Sequence, residues 1–243
     1  MEIKGFQENS LLEWEGKLSC VLFLPYCNLR CRYCHAAHLL DPGENESIER
    51  EKILAYMRRQ EGWLDGAAIT GGEPTLHGDE LRELIRQIRD TGLKVMLETN
   101  GSDPEMLDDL ISDGLLDAMS MDVKAPLDRH SYQRVTRTEV DTDALRASIQ
   151  IIKNSGLEYE FRTTVVPDLV GAEELERIGP VLEGARAHAL QNFQPDHCLD
   201  EELHDWVPFS PEDMDRLGAI ARPYVERVII RGRDRGVIHA AEN

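Results

Sequence analysis

Long apolar runs, a basic surface and a disulfide framework are all missing from this 243-residue chain. No stretch approaches the roughly 20 consecutive apolar residues needed to cross a bilayer, so no membrane span is expected. The start, Met1-Glu2-Ile3-Lys4-Gly5, lacks the basic and then apolar pattern of a signal peptide, which points to a cytoplasmic protein. Lysine is scarce, most basic residues are arginine, and the net charge is −19. Phosphate backbones are bound through cationic side chains, so nucleic acid is not an expected partner. A solvated acidic surface is the plain reading of that charge. Five cysteines, three of them within eight residues, do not read as a secreted disulfide framework. No low-complexity linker or internal repeat divides the chain.

What is present is alternation. Short apolar runs at 18–24, 66–70, 94–98, 118–123, 159–166 and 189–193 read as strands. Amphipathic stretches at 47–59, 79–90, 103–112, 141–154 and 172–183 read as helices between them, followed by a helix at 211–222 and a strand at 225–231. Ser47 and Ser210 stand as N-caps, with Pro211 in the first turn after Ser210. Leu81, Leu84, Ile85 and Ile88 make one apolar helix face. The pattern predicts an α/β fold with a parallel sheet, a partial (β/α)6 TIM-like barrel in one domain spanning 1–243. Within it, 1–17 is a short N-terminal segment, 18–200 the barrel core, and 201–243 the C-terminal helix and extra strand. The polar motifs fall just after strands, where parallel barrels gather their active sites.

Cys27, Cys31 and Cys34 follow the first strand, and no neighbouring cysteine supplies a fourth ligand. A structural zinc site is closed by four ligands, while a reactive centre keeps a position open. Three thiolates suit an iron–sulfur cluster with one iron free for substrate. A zinc knuckle using His35 or His38, or a disulfide with a spare thiol, stands beside that reading. The second strand ends in Thr70-Gly71-Gly72-Glu73-Pro74, where glycine lets backbone approach a ligand closely; an ordinary βα turn is the alternative. Asp122 and Lys124, two apart on a strand, share a face and form either a site or a surface ion pair. Cys20 alternates into a strand and reads as core, and Cys198 has no partner at metal spacing.

The cysteine spacing, with Tyr33 before the last cysteine and Gly-Gly-Glu after it, resembles the signature of the radical S-adenosylmethionine (SAM) superfamily. That resemblance implies a [4Fe–4S] cluster on Cys27, Cys31 and Cys34, with SAM on the open iron. It implies Gly71, Gly72 and Glu73 at the methionine ammonium, Tyr33 against the adenine, and contacts around Cys34 and His35. Asp122 and Lys124 then reach the ribose and carboxylate region, and His197 the nucleoside. Glu98, Thr99 and Asp122 match positions that hold a monovalent cation, the first being aspartate in most relatives. Arg162 either points to the SAM carboxylate or braces the barrel.

Further stretches narrow the likeness: Gly5-Phe6-Gln7, Leu97-Glu98-Thr99-Asn100-Gly101, Met121-Asp122-Val123-Lys124-Ala125-Pro126, Arg162-Thr163-Thr164 and Gln191-Asn192-Phe193-Gln194-Pro195. They resemble activating enzymes of glycyl radical enzymes, in the branch of anaerobic ribonucleoside-triphosphate reductase and pyruvate formate-lyase activation. The implied partners are a glycyl radical enzyme and a flavodoxin or ferredoxin electron donor. Trp14-Glu15-Gly16 departs from the usual aromatic-Pro-Gly, and no ferredoxin-like insert is present. A radical SAM enzyme acting on a small molecule, such as a carboxy-deazaguanine synthase, is the second reading. A non-enzymatic electron carrier or zinc module is the third.

Overall fold

The chain enters through β1 (Gly5–Ser10), β2 (Ser19–Leu24), α1 (Ala37–Leu40) and α2 (Arg50–Arg59). It continues as β3 (Gly66–Gly71), α3 (Asp79–Arg89), β4 (Lys94–Thr99), α4 (Pro104–Ser112) and β5 (Ala118–Asp122). Then come α5 (Arg129–Thr136), α6 (Thr142–Asn154), β6 (Glu158–Val165), α7 (Ala172–Ile178), β7 (Ala185–Asn192), α8 (Pro211–Ala221) and β8 (Val225–Arg231). The computed structural model describes residues 1–232 other than 42, 44, 45 and 197. No helix among them is long and apolar enough to cross a membrane.

The eight strands form one sheet in chain order. From β2 to β8 each strand is parallel to the next, while β1 runs antiparallel along β2. The expected βα alternation is thus present. Leu81, Leu84, Ile85 and Ile88 of α3 are all fully buried, as their spacing on one helix face requires. Ser210 and Asp213 cap α8 reciprocally behind Pro211.

Local competition explains the departures from pattern. α2 begins at Arg50, because Ile48 N donates to Ile3 O (2.8 Å) and holds the preceding stretch extended. The expected helix at 172–183 stops at Ile178 and tightens into a 3₁₀ turn, Gly179–Leu182, around Pro180. β7 starts at Ala185 rather than 189; Ala187 and Ala189 share a face with Gln191 and carry no β-branched signal. α5, absent from the expected helices, is short, capped by Asp128 accepting from Ser131 N (2.9 Å), and anchored by buried Tyr132 and Val135. β1 is an unforeseen strand in the N-terminal segment, its residues 7–9 polar and exposed.

The β1–β2 loop shows how the sheet curls. Trp14, only 3% exposed, packs on Val21, Ala68, Met96 and Ala118. These four are cross-strand neighbours on β2 to β5, so the indole plugs one layer of the barrel interior. Arg162 of β6 donates from Nη2 to Glu13 O (2.7 Å), and Glu15 takes a two-pronged ion pair from Arg227 of β8 (3.2 and 2.7 Å). One loop therefore touches both halves of the sheet, and side chains rather than a strand ladder span the gap between its edges. Trp14→Ala is expected to lower unfolding free energy by about 3–5 kcal/mol, read from urea denaturation. A change below about 1 kcal/mol, the size of a surface substitution, would show that the plug is not packed.

Candidate functional site

The cysteine loop leaves β2 through Tyr26, whose φ of 66° is left-handed, and its backbone is fastened on two sides. Arg30 N and Arg32 N donate to Thr136 O and Val135 O at the end of α5, both at 3.0 Å. From the other side, Leu199 N donates to Cys34 O (3.0 Å) and Asp200 N to Arg32 O (2.9 Å). The buried Asp200 carboxylate also accepts from Arg32 and, at 2.7 Å, from Arg137. No sequence motif announced Asp200, because its partners lie far away in the chain.

Cys27, Cys31 and Cys34 all line one cavity of about 220 Å³, and all are free thiols. Burial pushes Cys31 up to about 12 and raises Cys27 and Cys34, with nearby Lys124 opposing in each case. Thiols in such a place lose their protons readily only to a strongly positive centre. Among the described residues no three His, Cys, Asp or Glu side chains gather around a single ion. His38 is exposed on α1, while His35 lines the cysteine cavity. Three thiols spread around a cavity suit a polynuclear cluster. Cys20 is buried in β2, its Sγ 3.9 Å from Gly66 O, as core. Cys198 is buried too, and its thiol donates to Gln194 O (2.9 Å).

The glycine turn is explained by the chain's own packing as much as by any ligand. Gly71 has φ +119°, and a Cβ there would stand 2.3 Å from Leu24 O; at Gly72 it would stand 1.9 Å from Tyr26 O. Gly72 N donates to Leu24 O (2.8 Å) and Glu73 N to Tyr26 O (2.7 Å), so the end of β3 is stitched beneath the cysteine loop. The Glu73 side chain corrects the simplest expectation of a direct ligand contact. Fully buried, its carboxylate accepts from Thr75 N (3.1 Å), Thr75 Oγ1 (2.7 Å), Thr99 Oγ1 (2.7 Å) and Asn100 N (2.6 Å). Burial raises its pKa and these donors oppose the rise. Glu73 ties the β3 and β4 ends together and is not in the cavity wall.

Tyr33, His35, Gly71, Gly72, Thr99, Asp122 and Lys124 do line the cysteine cavity, and Glu98 joins them. His197 lies outside the described residues. Lys124 Nζ donates to Asp122 Oδ2 (2.9 Å); the lysine side chain is 13% exposed and the aspartate 42%, so the pair runs from the cavity wall to its open side. Burial pulls Lys124 down, the Asp122 carboxylate beside it pulls it up, and the net direction is upward.

A second cavity of about 580 Å³ adjoins the first, sharing Glu98, Asp122 and Thr164. Arg162 braces its wall, donating to Glu98, Glu160 and Glu13 O. Arg231 grips Glu160 at 2.7 and 2.9 Å. Glu160 and Arg231 were missed in the sequence, because neither stands in a local motif and each is defined by the other.

Residues 21–178 match the family model of the Radical SAM superfamily. A Methanocaldococcus jannaschii protein provisionally named a glycyl-radical enzyme activating enzyme is 30% identical over 235 residues, 94% of this chain and 95% of its own length. A 7-carboxy-7-deazaguanine synthase of Methanospirillum hungatei is 38% identical over 100 residues, 41% of this chain and 39% of that protein. In structure, Streptococcus suis SuiB bound to its precursor peptide SuiA superposes with a TM-score of 0.68 at 14% identity, over 87% of this chain and 48% of that one. That likeness is one of fold.

Proposed function

This chain belongs to the radical SAM superfamily, and from that premise we propose that it is the activating enzyme of a glycyl radical enzyme. Cys27, Cys31 and Cys34 would hold a [4Fe–4S] cluster, which would supply the one-electron reductive cleavage of SAM to methionine and a 5′-deoxyadenosyl radical. The rest is positioning by this chain. Tyr33 offers a buried aromatic wall for the adenine, Asp122 and Lys124 offer paired charges to the ribose and carboxylate end, and Gly71 and Gly72 border the methionine end. Residues of the larger cavity hold the partner's glycine segment against the radical and keep water out. The electron comes from a flavodoxin or ferredoxin, in a reducing cytoplasmic setting. The whole of 1–243 serves as one domain.

One observation carries this choice of substrate. Among the described residues, both cations lining the larger cavity, Arg162 and Arg231, are committed to Glu98 and Glu160. Glu13 adds a further carboxylate to the wall, while Glu15 and Asp122 are held by Arg227 and Lys124. An anionic small molecule meets no uncommitted counterion there, whereas a peptide segment is read through neutral amides such as Gln191 and Gln194. The likeness along nearly the full length of the jannaschii protein points the same way. The similarity to a deazaguanine synthase favours the second reading, a small-molecule substrate.

Mixing the protein with SAM, reductant and a candidate glycyl radical enzyme encoded beside it is expected to give a doublet glycyl signal in electron paramagnetic resonance. Deuterium placed on that glycine Cα is expected in 5′-deoxyadenosine. Deuterium arriving instead from a small molecule, with no glycyl signal, moves the protein to the second reading.

A further inference from the structure

Glu98, Thr99 and Asp122 stand where the resemblance calls for a monovalent cation beside SAM, and the structure has already committed them. Glu98 accepts from Thr70 Oγ1 at Oε2 (2.8 Å) and from Arg162 Nη1 at Oε1. Thr99 Oγ1 donates to Glu73 (2.7 Å) and accepts from Gly101 N (3.0 Å). Asp122 Oδ2 accepts from Lys124 Nζ (2.9 Å). A free cation placed among these groups would displace hydrogen bonds and face two fixed positive charges, Arg162 and Lys124. The residues do not fit it.

We propose that Arg162 is itself the fixed cation of this site, a positioning residue that makes SAM binding indifferent to added potassium or sodium. Three features support it. From β4 the Glu98 carboxylate reaches across β5 to the guanidinium on β6. That guanidinium is held at Nε, Nη1 and Nη2 by Glu160, Glu98 and Glu13 O, with its side chain only 11% exposed. Arginine keeps its charge at every working pH and its planar fork keeps its direction. Arg162 is also the register partner of Asp122 across the β5–β6 ladder; it lines the larger cavity, whose wall shares Glu98 and Asp122 with the cysteine cavity. Without a positive charge there, the SAM carboxylate would approach Glu98 unscreened, since Lys124 is spent on Asp122. The inference rests on SAM binding and is independent of which partner is activated.

The test is SAM affinity of the reconstituted protein by titration calorimetry, in potassium chloride and in choline chloride of equal ionic strength. Wild type is expected to bind SAM equally in both, within about twofold. Arg162→Gln, checked by iron content and circular dichroism, is expected to bind about tenfold more weakly in choline, the size of one lost charge-assisted contact, and to recover part of that in potassium. Arg162→Lys is expected to retain the indifference to potassium. A wild-type affinity that rises several-fold with potassium overturns the proposal, and that comparison needs no variant to fold. Arg162→Gln with unchanged affinity in both salts overturns it equally.

Discussion

Cys31→Ala is expected to leave a folded protein that holds no iron–sulfur cluster and consumes no SAM. Wild type, reconstituted without oxygen, is expected to carry about four irons and four sulfides per chain. Cys31 is the most buried of the three cavity thiols, so its loss removes a ligand from the interior wall, where water cannot substitute. Cys27→Ala and Cys34→Ala are expected to behave alike. The controls are sharp because two other cysteines are buried nearby yet used differently. Cys20 is packed in β2, and Cys198 spends its thiol on Gln194 O. Cys20→Ala and Cys198→Ala are therefore expected to keep full iron and the visible absorption of the cluster. A full cluster in Cys31→Ala would falsify the ligand assignment.

The second large effect is expected from a single methyl group at Gly72. A Cβ there falls 1.9 Å from Tyr26 O and 2.5 Å from Tyr26 C, both backbone atoms with no rotamer to yield. Gly72→Ala must part the end of β3 from the cysteine loop. The hydrogen bonds from Gly72 N to Leu24 O and from Glu73 N to Tyr26 O go with it. Overpacking of this kind costs about 3 kcal/mol or more when backbone must move. The expected outcome is a lowered urea midpoint together with poor cluster assembly. Gly114→Ala is the control for an added carbon that meets no neighbour: its φ is positive, at +66°, unlike that of Gly72, but nothing lies within 4 Å of the added carbon. It is expected to cost only about 1–2 kcal/mol, with iron content unchanged. Equal behaviour of the two variants would show that the close approach at Gly72 is not what the turn needs.

Sequence reasoning reached the fold where periodicity is strong and failed where tertiary contacts decide. α3 was legible because four apolar residues repeat on one face, and the cysteine and glycine motifs were legible because their chemistry needs local spacing. β1 was not, since residues 7–9 are polar and its strand state is set by pairing with β2. α5 is too short to show a period, and β7 is built on small alanines that suit a crowded interior. In the site, Tyr33, Asp122 and Lys124 line the same cavity as the three cysteines. The roles of Glu73, Asp200 and Arg162 were illegible because each is defined by partners from distant strands and loops. Glu73 shows the difference most clearly: its place in a Gly-Gly-Glu motif suggested a ligand contact, and its four donors show a fastening between two strand ends.

The indole of Trp14 turns the barrel into a vessel with a stoppered base. Its two adjoining cavities share the walls of Glu98, Asp122 and Thr164, so what sits in one is within reach of what sits in the other. The expected kinetic signature is ordered addition, in which an excess of the larger guest slows turnover; initial rates measured with both guests varied check it.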